Sequence, residues 1–208
     1  MKSGLAILSA AGLALSACTT GMSEDECLTA DWRALGERDG GFGEAITKFD
    51  ERAERCAKFA VAADQSAYAD GREEGLLRYC TPDSGYEEGR AGRPYRGVCP
   101  AESERAFVEE YEIGKRLYQL TTEYDNAVSR YETALENLKS YRYDLRQARN
   151  RYNENTLNDE ERGELRDKMR DYRRDIEQLE NDLPLLEVDI DRARDRLDDY
   201  RDFLADRL

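Results

Sequence analysis

From Ala101 onward the apolar residues recur at alternating steps of three and four, and nothing else in the chain restricts its fold so tightly. One arm carries Tyr124, Val128, Tyr131, Leu135, Leu138, Leu145 and Tyr152 in phase, with Arg142 as the one misfit. A second arm carries Leu165, Met169, Tyr172, Ile176, Leu179, Leu183, Leu186, Ile190, Ala193, Leu197, Tyr200 and Leu204 without a break. A mean period of about 3.5 residues keeps a narrow apolar stripe on one side of each helix and supercoils two such helices left-handedly. Between the arms, residues 153–159 hold three asparagines, and Asn158 followed by Asp159, Glu160 and Glu161 offers a cap and an acidic first turn. Two arms of about 50 residues each, roughly 75 Å long, around one short turn predict an antiparallel coiled-coil hairpin over 101–208. Pro184 sits inside the second arm, but the phase continues across it, so a kink is expected there and not a terminus. The remaining positions are mostly Asp, Glu and Arg and read as a solvated face, each surface pair worth a few tenths of a kcal/mol.

The opposite end of the chain says where it goes. Lys2 precedes an apolar run from Leu5 to Leu15, and Ser16-Ala17 supplies small residues for a peptidase. The run is shorter than the roughly 20 residues a membrane-spanning helix needs, so 1–17 reads as a cleaved export signal. Its Leu-Ser-Ala-Cys ending resembles a bacterial lipobox, which implies that Cys18 is acylated and becomes the mature N-terminus. Residues 18–22 are then a lipidated tether. One acyl chain binds marginally and stable anchoring takes two or more, so the expected three chains hold the protein at the membrane. Thr19, not Asp, follows the cysteine, which resembles outer-membrane sorting and places the protein on the inner leaflet, facing the periplasm.

Cys27, Cys56, Cys80 and Cys99 remain, all in the first half of an exported chain, and read as two disulfides over 23–100. Four cysteines allow three pairings. Helices expected from Ser23 to about Glu37 and from Gly43 to Phe59 would, as a hairpin, bring Cys27 to Cys56 and leave Cys80 for Cys99, a preference that sequence does not settle. A third helix is expected over Asp64–Cys80. Residues 81–100, with three of the four prolines and several glycines, read as an irregular loop. The fold class is therefore all-α: a small disulfide-bonded helical domain followed by the long hairpin.

No histidine is present, which removes the commonest general base and every Ser-His or Cys-His pair. The cysteine spacings do not resemble a zinc ribbon, and no phosphate-binding, dinucleotide or EF-hand motif occurs. No enzyme, cofactor or metal is expected, and carboxylate-only catalysis stands as a remote third reading. A net charge of −14 argues against nucleic acid.

A Tyr-x-x-Gly-basic pattern occurs at Tyr68–Arg72, Tyr86–Arg90 and Tyr111–Lys115. Glycine inside a helix costs about 1 kcal/mol, so Gly71 and Gly75 read first as points of close helix approach. The functional reading makes Tyr68, Arg72, Tyr86, Arg90 and Tyr95 an aromatic and guanidinium surface for sugars or carboxylates.

Glu26-Cys27-Leu28, Asp31-Trp32, Arg52-Ala53 with Cys56, Gly71-Arg72-x-x-Gly75-Leu76 to Tyr79-Cys80, and Gly85-Tyr86 to Gly97-Val98-Cys99-Pro100 resemble a family of bacterial lipoproteins. The family is a domain of unknown function (family 2799), and the resemblance spans residues 24 to about 118. It implies export and lipidation, and no activity. The function expected is a structural or adaptor role in the cell envelope, with the hairpin contacting another envelope protein and Cys18 holding the membrane. The alternative is a module binding peptidoglycan or another envelope polymer. Homo-oligomerisation is compatible with either.

Overall fold

The computed structural model describes residues 22–207, so the expected export signal over 1–17, Cys18 and the expected tether through Gly21 lie outside the described residues. The described residues form seven helices and no strands: α1 (Glu24–Leu28), α2 (Trp32–Gly41), α3 (Thr47–Ala57), α4 (Gln65–Tyr79), α5 (Pro82–Arg90), α6 (Ala101–Tyr152) and α7 (Asp159–Ala205). The all-α expectation holds. The chain divides into two compact units after Tyr79, not after Pro100, because α5 packs on α6 and carries the second cysteine pair into the unit of the hairpin.

In the first unit the expected Ser23–Glu37 helix is two. Ser23 caps α1 in a capping box with Glu26, but Asp31 takes the amide of Ala34 and starts α2 afresh. Helix α2 runs through Asp39 and Gly40 to Gly41, where a break was expected. Its glycines explain this. A Cβ on Gly36 would lie 3.0 Å from the Arg72 amide nitrogen, and one on Gly71 would lie 3.0 Å from that of Glu37. Gly36 meets Tyr68 and Gly40 meets Arg72, so α2 and α4 cross backbone to backbone and run in the same direction. Trp32, Phe49 and Tyr68 fill the core beside this crossing, with Trp32 edge-on to Phe49 at 5.9 Å between ring centres. Cys27 and Cys56 are bonded beneath them.

The second unit opens with the same device. Thr81 accepts from the Ser84 amide and starts α5 with Pro82 in its first turn, so the expected loop is irregular only from Ala91 to Pro100. Gly85 faces Phe107, Gly89 faces Tyr111, and Gly114 faces Tyr86 and Arg90. Gly36, Gly40 and Gly43 thus correspond to Gly85, Gly89 and Gly92, each 49 positions on. Tyr68, Arg72, Gly75 and Tyr79 correspond to Phe107, Tyr111, Gly114 and Tyr118, each 39 positions on. Gly43 and Gly92 both have positive φ, 63° and 68°, and both sit against a tyrosine ring, Tyr79 and Tyr118. Each copy also has one disulfide joining the stretch before or at its first helix to the connection that follows, Cys27–Cys56 and Cys80–Cys99. The threefold sequence pattern is therefore a twofold structural repeat, with Tyr86-Gly89 on a first helix and the other two copies on second helices.

Helix α6 continues from this crossing and pairs with α7. Arg142 meets Glu180, Tyr131 meets Glu187, Arg130 meets Asp189 and Glu123 meets Arg196, so positions fall on one arm as they rise on the other. The hairpin is antiparallel, and α7 passes through Pro184 without ending. None of the apolar stripe expected on α7 is exposed. None of the stripe expected on α6 is exposed either, and its Leu138 is buried, but Leu120, Ala127, Ala134 and Ala148 are buried more deeply than Val128 and Leu135, which are half-buried. The stripe is rotated toward the alanines, which let α7 approach closely. Arg142 is no misfit in this register, because it lies on the flank and reaches Glu180.

Candidate functional site

The most completely built polar cluster lies in the first unit. Asp39 is 4% exposed, carried inward on the face of α2 that the glycines press against α4. Arg52 of α3 donates to both of its carboxylate oxygens, each at 2.8 Å, and the Tyr68 hydroxyl of α4 donates at 2.9 Å. Burial, then the bond to Asp39, pushes the Tyr68 phenol far above its ordinary range. The bond to Asp39 raises Arg52 as well, against its own desolvation. Every strong group in the cluster is spent on another, so it works as a charged clamp between three helices and presents no free nucleophile or base. Sequence reasoning missed it, although Trp32 and Asp39 are seven residues apart and so share the buried face.

The five residues expected to form one ligand surface do not. Tyr68 is wholly buried in the clamp. Arg72 is half-buried and donates to the Glu44 carbonyl at 2.9 Å. Arg90 is exposed and paired with Glu87. The Tyr95 hydroxyl accepts from the Cys99 amide and donates to Glu104, both at 3.1 Å, and its ring packs on Phe107 at 4.8 Å. Burial is the main reason its phenol is raised. Tyr95 therefore secures the loop that Cys99 closes. These roles are structural, as the close-packing reading of the glycines implied.

Of the five, Tyr86 lines an open groove of about 440 Å³ within the second unit. Its walls include Asp83, Tyr86 and Glu87 from α5, Glu110 from α6, Leu204 near the end of α7 and Arg207 just beyond it. Arg207 pairs with Glu110 at 2.7 Å, and the nearby Tyr200 hydroxyl donates to the Ile113 carbonyl at 3.0 Å.

The hairpin turn is also built. Asn158 and Glu161 form a capping box at the start of α7. Arg162 donates to the carbonyls of Tyr152 and Glu154, both at 3.0 Å, and lies over the Tyr152 ring. One guanidinium thus satisfies carbonyls that the end of α6 would leave open. Asn153, Glu154, Asn155 and Thr156 are exposed around it.

Residues 31–116 match a family model described as a protein of unknown function (DUF2799). The match begins at the cap of α2 and ends inside α6, so it takes in both glycine-crossed helix pairs and leaves out most of the hairpin. Neither the curated proteins nor the solved structures contain a match to this chain.

Proposed function

We propose that this protein is a lipid-anchored scaffold of the bacterial cell envelope, held at the outer membrane through Cys18, whose helical hairpin contacts another envelope protein. The observation that carries the reading is the built turn, where Arg162 and the Asn158–Glu161 box fix an exposed polar tip at the end of two paired helices. The helices commit their apolar stripes to each other, which leaves recognition to the tip and to outer faces that are charged apart from exposed Tyr143, Leu185, Val188 and Phe203. Two disulfides accord with an oxidising compartment.

The test is site-specific photocrosslinking in cells from Asn155 and Thr156 at the tip, with Leu28 in the first unit as control. The proposal expects one envelope protein captured from both tip positions and not from Leu28, with capture lost in Cys18→Ser. Identical capture patterns from tip and control would contradict it. A second reading, binding of an envelope polymer, draws support from the groove at Tyr86. It expects purified cell wall to retain the protein and to release Tyr86→Ala.

A further inference from the structure

The first unit starts on a short leash from the proposed anchor. Met22 is the first described residue and is already fixed: its side chain is in the core, and its carbonyl accepts from Arg55 Nε at 3.1 Å. The four peptide steps from Cys18 to Met22 span at most about 14 Å. That exceeds the length of α1, about 7.5 Å, and is no longer than α2, about 15 Å. The surface that can reach the membrane is therefore the end where Met22 sits. It comprises α1, the starts of α2 and α4, and the last turn of α3, where Cys56 is tied to Cys27 of α1. Met22 lines one groove there with Thr29 and Ala30.

The α3–α4 connection at this end holds Phe59 to Ala63, five apolar residues in succession. Phe59, Val61 and Ala63 pack on the core, while Ala60 and Ala62 are exposed. Its shape is fixed: the Val61 amide donates to the Cys56 carbonyl at 3.1 Å, and Ala60 takes a left-handed φ of 59° at this helix end. Leu28, next to the disulfide, is 65% exposed. Charges stand around the patch: Glu24, Asp25 and Glu26 on α1, Glu54 on α3, and Asp31 and Asp64 ahead of α2 and α4, against Arg55 and Lys58. Exposed Phe42, Ile46 and Leu77 belong to the other end, where α2 and α4 finish and α3 starts.

We infer that Leu28 and the Phe59–Ala63 loop rest in the headgroup layer of the bilayer that holds Cys18, as a second and shallow membrane contact. This contact rests on the lipid anchor proposed above. The anchor already confines the unit at the membrane, so a small apolar patch that leaves water on arrival is enough to orient it. Carboxylates outnumber cations around the patch, so zwitterionic headgroups suit it and an anionic surface repels it. Only the bilayer is tied within reach of this patch, which favours lipid over a protein partner.

The test uses the full mature protein with its acyl chains, reconstituted into phosphatidylcholine vesicles whose lipid is brominated high on its chains. Leu28→Trp and Ala62→Trp place a reporter in the patch, and Leu77→Trp places one at the other end. Trp32 is buried and supplies the common background. Circular dichroism checks that each variant remains helical. Leu28→Trp and Ala62→Trp should lose fluorescence to the bromine and Leu77→Trp should not, and the loss should shrink when phosphatidylglycerol replaces part of the lipid. Protein that floats with the vesicles while both patch variants stay bright would overturn this contact and leave the anchor standing. Protein that does not float would overturn the anchor and the contact together. Equal quenching of Leu77→Trp, or quenching that grows with phosphatidylglycerol, would also overturn the contact. Patch variants shielded from aqueous acrylamide but bright beside bromine would put a protein there in place of lipid.

Discussion

Replacing Gly71 by alanine should weaken the first unit even though alanine is the better helix former. The intrinsic preference favours Gly71→Ala by about 1 kcal/mol. Against it stands the backbone of α2: a Cβ at this position would meet the Arg33 carbonyl oxygen, with the Arg33 carbonyl carbon at 2.8 Å and the Glu37 nitrogen at 3.0 Å. Ordinary contact begins near 3.4 Å. These are main-chain atoms and cannot swing aside as a side chain would, so the helices must separate. Overpacking of this kind costs about 1–3 kcal/mol, and the absence of any side chain to yield puts Gly71 at the upper end. The net expectation is a loss of about 2 kcal/mol. Gly163 supplies the control, because it is helical and nothing lies within 4 Å of its Cβ position. Gly163→Ala should stabilise by up to about 1 kcal/mol. Urea denaturation reads both effects, using the fluorescence of Trp32, the single tryptophan, for the first unit and circular dichroism for the hairpin. If Gly71→Ala raised the midpoint as Gly163→Ala does, the backbone-to-backbone crossing would be refuted.

Asp39→Asn should cost about 3–5 kcal/mol in the same Trp32 assay, because it leaves the largely buried Arg52 without its counter-charge; a change under about 1 kcal/mol would show that the clamp is dispensable. Glu26 is held below its ordinary carboxylate value, first by the Ser23 amide and then by its hydroxyl. The cap's contribution should therefore be complete above the ordinary value and lost as pH falls through the lower folded one, which an NMR titration of Glu26 against Ser23→Ala would read. Cys27→Ala with Cys56→Ala should lower stability by about 3–4 kcal/mol, the loop-closure value for a separation of 29 residues. An unchanged denaturation midpoint would count against that bond's role.

The hairpin was the most legible part of the chain, because a period sustained over a dozen positions of α7 leaves one face to bury. The expected α6 stripe is buried or half-buried throughout, but the deepest line of the seam runs one step toward the alanines. Counting large residues favoured Val128 and Leu135, whereas close packing against α7 favours Ala127 and Ala134. Glycine misled in the same way. In Asp39-Gly40-Gly41 and in residues 81–90 it signals a break by propensity, yet here it permits a helix crossing that propensity cannot see. The expected cysteine pairing holds, although the two-helix hairpin it was argued from does not: α2 packs on α4, and Cys27 lies on the separate α1. The aromatic and guanidinium surface failed because a Tyr-Gly-Arg spacing looks alike whether the tyrosine points to solvent or, as Tyr68 does, into the core.

The scaffold role proposed for this chain requires that α7 fold back along α6. Spin labels at Glu123 and Arg196, which meet at 3.1 Å across the seam, measure this directly by double electron–electron resonance. Closed helices with axes about 10 Å apart predict a single narrow distance near 20 Å between the labels. A distribution centred toward the roughly 110 Å that one continuous helix would place between them would contradict the hairpin and everything built on it.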